Sequence, residues 1–319
     1  MRLLITGASG LLGLNLCLQA MKTHSVVGVH RGRLSGVPFR LLQLDLLHAG
    51  SVDRALRDAQ VDAVLHCAAL ADVDACERNP ALAWRVNAEL PGRIAHACSR
   101  NGLALVHVST DAVFDGRSDG SYVEKDAPSP TSVYARTKHA AECEVLNAHP
   151  HAVVARVNFY GWSLSGRRSL AEFFVHSLLA GERVQGFTDV IFCPMLVDDL
   201  GQTLLQMLES NLAGLFHAVG PQPMSKYEFG LALARKFGLD DVLIAPDSVE
   251  MAGLPAPRAH NLNLSVHKLS TALGAPLPDF STGLDTFFAQ FAQGYPQRIR
   301  SYQQVSAGSP AVEPPAGTL

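Results

Sequence analysis

Met1-Arg2-Leu3-Leu4-Ile5-Thr6-Gly7-Ala8-Ser9-Gly10-Leu11-Leu12-Gly13 decides the fold. Leu3 to Ile5 is a short apolar run of the kind that forms a buried strand, and an apolar helix follows through Leu14, Leu16, Leu18 and Met21. Between them, Gly7 permits a tight turn and Gly10 lets the backbone approach a pyrophosphate. Gly13 lets the helix pack closely on the strand. The free N–H groups and positive dipole end of the helix would face the phosphate charge. Three glycines in a turn are often only a turn. Their place at the head of an alternating strand–helix chain gives the pattern its weight.

Ser25 to His30 reads as the second strand, with Arg31-Gly32-Arg33 at its tip. In such folds that tip holds the adenosine ribose, where an acid accepts from a free 2′-hydroxyl and a base pairs with a 2′-phosphate. The basic tip favours NADPH; NADH remains open if Arg31 and Arg33 are merely solvated loop charges. Phe39 to Leu44 is a third strand ending in Asp45-Leu46, where a carboxylate can hold the adenine amino group. Ser51 opens a helix as a serine cap. A fourth strand from Ala63 runs through His66 into Cys67-Ala68-Ala69, small residues that leave room for a ligand at the sheet's switch point. His66 reads as a core histidine, because no partner sits at metal-ligand spacing.

Asn79-Pro80 starts a helix through Trp84 and Asn87, and Leu103 to Ser109 is a fifth strand. After a loop from Asp115 to Thr131, a helix opens at Ser132, and Ala152 to Val157 is a sixth strand. Six strands alternating with helices imply an α/β, Rossmann-type doubly wound parallel sheet. Beyond it, the pattern predicts helices over Ser169–Leu179, Leu196–Leu208 and Ser225–Phe237, and a short strand over Leu215–Val219. Apart from Leu196–Leu208, which is expected to rejoin the sheet, these compose a smaller C-terminal α/β substrate lobe. The expected division is a nucleotide-binding domain over 1–160, rejoined by 190–212, an interleaved lobe over 161–295 and a flexible tail over 296–319.

With 319 residues, 48% of them hydrophobic, the chain can bury a large core as one domain or two. A net charge of −3 gives no reason to expect nucleic acid or an anionic membrane as partner. The cysteines at 17, 67, 76, 98, 143 and 193 form no Cys-x-x-Cys pair, which argues against a zinc site or disulfide framework and fits a reducing cytosol. The chain enters directly into strand and glycine loop, so no secretory signal is expected, and no apolar run is long enough to span a bilayer. The expectation is a cytoplasmic protein without a metal. A homodimer is the assembly considered.

Tyr134 and Lys138 lie four apart on one helix and share a face. A phenol near pKa 10 is a sluggish proton donor at neutral pH, and an adjacent ammonium is expected to bring it toward the working range. Thr110, at the end of the fifth strand, offers a hydroxyl to a carbonyl oxygen. Strand ends are where open α/β sheets place ligands, so the three are expected to converge.

Together with these elements, Asp72-Val73-Asp74, Val86-Asn87-Ala88, Ser109-Thr110-Asp111-Ala112-Val113-Phe114-Asp115-Gly116 and Tyr134-Ala135-Arg136-Thr137-Lys138 resemble an extended short-chain dehydrogenase/reductase of the dTDP-4-dehydrorhamnose reductase family. In the second lobe, Ser225-Lys226-Tyr227-Glu228-Phe229 and Pro257-Arg258-Ala259-His260-Asn261 continue the likeness. The resemblance implies a catalytic triad of Thr110, Tyr134 and Lys138. It implies a cofactor site of Gly7, Ser9, Gly10, Leu11, Leu12, Gly13, Arg31, Asp45, Leu46, Cys67, Ala68, Ala69 and Asn87, with Tyr134 and Lys138 beside the nicotinamide ribose. Asp74, Asp111, Val113, Phe114 and Asn158 are the expected substrate contacts.

The implied reaction is reduction by NADPH of a 4-keto group on a nucleotide-linked deoxysugar. Related 4,6-dehydratases carry a proton-transferring glutamate after Thr-Asp; Ala112 stands there and cannot transfer a proton. An NDP-sugar epimerase, which usually favours tightly held NAD, is the alternative within the fold. A non-catalytic subunit resembling the regulatory subunit of methionine adenosyltransferase is the alternative from another class.

Overall fold

A computed structural model describes residues 1–32, 34–253 and 256–303; Arg33 and residues 304–319 of the expected tail lie outside them. The strands β1 (Arg2–Thr6), β2 (Ser25–His30), β3 (Arg40–Gln43), β4 (Ala63–His66), β5 (Ala104–Thr110) and β6 (Val153–Val157) form one parallel sheet in the order β6-β5-β4-β1-β2-β3. The order reverses beside β1, which opens a crevice between the ends of β1 and β4. The strand Gly214–Ala218 adds a seventh member on the outer edge of β6. The expected place of that strand is the second lobe. Its short apolar run carries no mark of which sheet it joins; pairing of Leu215 with Val154 and of His217 with Arg156 decides it.

Alternation along β1 builds both faces. Leu3 and Ile5 enter one buried cluster with Leu16, Leu200 and Leu204, while Leu4 enters the opposite one with Val64, Ile94 and Val145. Each such side chain stabilises the fold by about 1.5–3 kcal/mol relative to leaving it in water. The helices on the two faces include α1 (Leu11–Ala20), α2 (Ser51–Ala59), the short α3 (Val73–Arg78) and α4 (Pro80–Trp84), then α5 (Leu90–Arg100) and α6 (Val133–Ala148). Asn79 caps α4 through Leu82 N–H at 3.0 Å, as expected. The helix expected to run on through Asn87 instead passes a π turn over Arg85–Glu89. Ser51 lies inside α2, whose N-cap is Gly50 in a left-handed conformation, so the expected serine cap is absent.

The later region carries α7 (Leu170–Leu179), α8 (Val197–Glu209), α9 (Lys226–Phe237), α10 (His267–Leu273), α11 (Phe280–Ala292) and α12 (Tyr295–Arg300). Ser169 and Ser225 each form a full capping box, with Glu172 and Glu228 respectively. An aromatic core joins these helices: Trp162 stacks on Phe287 with ring centres 4.0 Å apart, Phe237 and Phe291 flank it, and Tyr160, Phe174 and Phe229 belong to the same cluster. A flexible tail from 296 is contradicted by α12, which buries Pro296 and Ile299. Beyond α12, Gln303 bridges to Leu34, and Ser35 N–H donates to the Tyr302 carbonyl at 3.0 Å. Polar composition marks the segment as a tail; two buried side chains, Pro296 and Ile299, are enough to dock it.

Candidate active site and nucleotide cleft

The glycine turn has the geometry its spacing implies. Gly7 sits at φ +70°, where a side chain is strained, and a Cβ there would lie 2.9 Å from Ala68 backbone. A Cβ on Gly13 would lie 2.2 Å from the Gly7 carbonyl oxygen, so α1 can approach the turn only with glycine at that position. The Gly10 amide donates to the Gly7 carbonyl at 2.8 Å, and helical bonding begins with Leu14 N–H to Gly10 O. The N–H groups of Leu11, Leu12 and Gly13 therefore precede the first helical bond, and no side chain caps them. A cleft of about 400 Å³ opens beside this turn. Gly7, Ser9 and Gly10 form its floor, and Arg31 and Asp45 stand at the tips of β2 and β3. Leu46 and the segment Cys67–Ala69 complete the wall. A dinucleotide fits this arrangement: small residues where bulk is excluded, free amides for a diphosphate, and a cation at one end.

Two substitutions separate the glycine roles. Gly10, whose Cβ would meet only the Gly7 oxygen at 3.1 Å, is far less confined by the fold than Gly7 or Gly13. Gly10→Val is expected to leave the circular dichroism spectrum intact and abolish dinucleotide binding; unchanged binding would mean the turn does not cradle phosphate. Gly13→Ala is expected to lower stability by about 1–3 kcal/mol or more through backbone overpacking, read as a fall in the urea midpoint.

Asn87, expected on the cofactor side, faces the protein interior. It is fully buried; its Oδ1 accepts Leu70 N–H at 2.8 Å and its Nδ2 donates to Leu70 O at 3.0 Å and Thr137 Oγ1 at 3.3 Å. Its amide thus anchors the wall segment after β4 to α6 and is a positioning residue. The π turn rotates it inward, which no helical periodicity shows. His66 is a core histidine as read, bonded through Nδ1 to Thr6 Oγ1 at 2.7 Å and stacked on His107.

Thr110, Tyr134 and Lys138 come together at the ends of β5 and the start of α6. Ser132 caps α6 through Ala135 N–H at 3.1 Å, which sets the first turn carrying Tyr134. Burial pushes the Tyr134 phenol up to about 12; a hydrogen bond with Thr110 opposes this, and the charges of Asp111 and Cys76 add to it. The expected downward tuning by Lys138 is absent. Its ammonium is drawn under the sheet, donating to the Val108 carbonyl at 2.6 Å. Burial lowers Lys138 to about 8, with Glu142 and Cys67 holding it up. Sharing a helix face gave proximity but not charge–charge contact.

The expected substrate contacts divide. Asp111 is almost fully buried, accepts Asn158 Nδ2 at 2.6 Å and Thr110 Oγ1 at 3.1 Å, and is raised by burial to about 6 against those bonds. Asp74 accepts Arg258 at 3.2 Å and the Ala256 amide at 3.2 Å, tying α3 to the later region. Val113 and Phe114 are not pocket residues. Both are completely buried, and Phe114 stacks on Tyr122 with ring centres 4.1 Å apart beneath the Arg156 guanidinium. Their place after Thr110-Asp111 pointed to the cleft, but the short 3-10 turn over Asp111–Val113 carries them back into the core.

Two cations escaped the sequence reading. Lys226, at the first turn of α9, is lowered to about 8 by burial and by Arg258, with Asp111 opposing, so it stands near the Asp111 end of the site. Arg168, just before α7, lines the nucleotide cleft. The capping box at Ser169 marks a helix start beside Arg168, but nothing local says what that loop faces.

A parallel Rossmann sheet, a glycine cradle at its switch point and a Tyr–x–x–x–Lys helix beside a strand-end threonine define an NAD(P)-dependent oxidoreductase of the short-chain dehydrogenase/reductase class. The family model described as RmlD substrate binding domain matches residues 1–293, and the chain belongs to that family. It is 35% identical over 294 residues to a dTDP-4-dehydrorhamnose reductase of Mycobacterium tuberculosis, covering 90% of this chain and 92% of that one. It is 32% identical over 293 residues to the "Probable low-salt glycan biosynthesis reductase Agl14" of Haloferax volcanii, covering 90% and 97%. A Danio rerio protein named "Methionine adenosyltransferase 2 subunit beta" is 31% identical over 285 residues, covering 84% of each. The crystal structure of dTDP-4-dehydrorhamnose reductase from Bacillus anthracis in complex with NADP superposes with a TM-score of 0.82 at 25% identity, covering 91% of this chain and 99% of that one.

No helix among the described residues is long and apolar enough to cross a membrane, and no cluster of three His, Cys, Asp or Glu gathers there at metal-binding distance.

Proposed function

We propose that this chain reduces a 4-keto group on a nucleotide-linked deoxysugar with NADPH. The observation that carries this reading is the pairing of the Thr110 hydroxyl with the Tyr134 phenol at the end of β5, with Lys138 one turn further along α6 near Cys67 of the cleft wall. In this reading the amides of Leu11, Leu12 and Gly13 hold the diphosphate, Asp45 takes the adenine amino group and Lys138 holds the nicotinamide ribose. When bound, NADPH supplies a hydride to the ketone carbon. Thr110 orients the ketone oxygen and Tyr134 Oη delivers its proton to it. A phenol raised to about 12 is fully protonated at neutral pH, the form a proton donor requires. Lys226 and Arg258 add positive charge suited to the substrate's own diphosphate.

Oxidation of NADPH in the presence of a panel of 4-keto sugar nucleotides tests the proposal. Turnover supports it. Binding of NADPH without turnover of any of them favours the non-catalytic reading that the methionine adenosyltransferase relative brings with it.

Cofactor choice is tested separately. Arg31 is exposed at the β2 tip and lines the cleft. Arg31→Ala is expected to weaken NADPH binding by about 1.5–3 kcal/mol, the scale of a hydrogen bond to a charged group, and to leave NADH binding nearly unchanged. Fluorescence titration of both cofactors reads this out, and equal losses for the two would assign Arg31 no part in reading the 2′-phosphate.

A further inference from the structure

Among the residues that line the nucleotide cleft, Arg168 alone comes from the chain after β6. A second cavity of about 300 Å³ adjoins the first and shares Ser9, Gly32 and Arg168 with it. Together they form a trough from the glycine turn, past the β2 tip, to the loop before α7.

That loop is held rigidly. The buried Glu172 carboxylate accepts Ser163 N–H at 2.6 Å and Ser163 Oγ at 2.7 Å, and it accepts the Arg168 amide itself at 2.9 Å. The Arg168 backbone is thus fixed on a carboxylate with no exposure, while its side chain is exposed beside the cleft. Gly166, at φ +70°, packs under the Arg300 guanidinium, and the chain just beyond Arg300 pairs with Leu34 and Ser35 after the β2 tip. The loop bearing Arg168 and the tip bearing Arg31 are therefore strapped together by the segment after α11.

Neither arginine is paired with a carboxylate among the described residues. The arginine ion pairs among the described residues are made by Arg2, Arg54, Arg100, Arg156, Arg235 and Arg258. Two guanidiniums with no carboxylate partner among the described residues, beside Ser9 and Gly32, make a site for a doubly charged anion. Planar guanidinium forks suit a phosphate monoester.

We propose that Arg168 is the second cation of the 2′-phosphate site, so that the later lobe, and not only the β2 tip, selects the phosphorylated cofactor. This rests on the cofactor reading above. The alternative occupant, the cofactor's diphosphate, is common to NADPH and NADH, which makes the two separable. Arg168→Gln is expected to raise the NADPH dissociation constant at least tenfold and to leave that for NADH within twofold, by fluorescence titration. Arg168→Lys should recover part of the loss, and 2′,5′-ADP should compete with NADPH less well on Arg168→Gln than on the parent. Arg168→Gln combined with Arg31→Ala should bind the two cofactors about equally. Losses that are equal for NADPH and NADH, or no loss at all, would overturn the assignment while leaving the cofactor reading standing. A parent protein that binds both cofactors alike would overturn both. Since Arg168 is exposed and its backbone bonds do not use the side chain, the variants keep the parent fold, which circular dichroism checks.

Discussion

Tyr134→Phe is expected to lower kcat by about 10²–10⁴-fold while NADPH still binds, the range general acid catalysis contributes. The substitution removes one hydroxyl and leaves the ring's packing in α6 unchanged. Because burial raises the phenol to about 12, the parent side chain holds its proton across the whole neutral range. The rate should therefore not fall on the acidic side through Tyr134 itself. The alkaline limb belongs to Lys138, whose ammonium is lost as pH rises through about 8. Lys138→Met should impair both turnover and cofactor binding, since it removes a charge beside Thr110 and Tyr134 and a contact proposed for the ribose. Single-turnover oxidation of bound NADPH, followed by absorbance, distinguishes the variants. Near-parental turnover by Tyr134→Phe would remove the proton-donor assignment and favour the binding-subunit reading.

Glu142→Ala is expected to cost about 3–5 kcal/mol of stability, the scale of leaving a buried charge without its partner. Glu142 accepts Arg156 Nε at 2.9 Å, Arg156 Nη2 at 2.8 Å and Ser109 Oγ at 2.7 Å, and Arg156 is only 1% exposed. The guanidinium also lies over the Phe114 ring, deep in the core, so truncating Glu142 leaves its charge buried without an anionic partner. Burial works to raise the Glu142 carboxyl, but its bonds to Arg156, His139 and Ser109 outweigh burial and hold it at about 2. A depressed carboxylate contributes stability above its unfolded value, and that contribution is lost as pH falls from about 4.5 toward 2. Asp111 has the opposite sign: raised to about 6, it costs stability as pH rises from about 4 through 6. Urea unfolding of parent and Glu142→Ala at pH 7 and pH 3 should therefore show a gap that narrows in acid. A gap independent of pH would mean that the charge pair is not its cause. Because Glu142 also helps hold the Lys138 ammonium, Glu142→Gln should move the alkaline limb of activity to lower pH.

Much of the cradle was legible because it depends on local rules. Strand, Gly7-x-x-Gly10-x-x-Gly13 and helix follow one another within thirteen residues, and each glycine answers a backbone requirement that the neighbouring residues already impose. Caps at Ser132, Ser169 and Ser225 are likewise three-residue events. The failures came where a residue's neighbours lie far along the chain. Val113 and Phe114 follow the site residues directly, yet a 3-10 turn returns them to a cluster with Tyr122 and Leu264. The strand Gly214–Ala218 looks like any short apolar run until β6 offers it an edge.

The sequence by itself determined the parallel sheet, the glycine turn and the helix that carries Tyr134 and Lys138. These follow from backbone sterics and apolar period, which act over a few residues. The tertiary structure alone decided that Asn87 turns inward, that Lys138 reaches Val108 instead of tuning Tyr134, and that Arg168 joins Arg31 at one cleft. Those outcomes depend on which side chains meet across 30, 50 or more than 100 positions of chain, and on how deeply packing removes them from water. No local pattern encodes that.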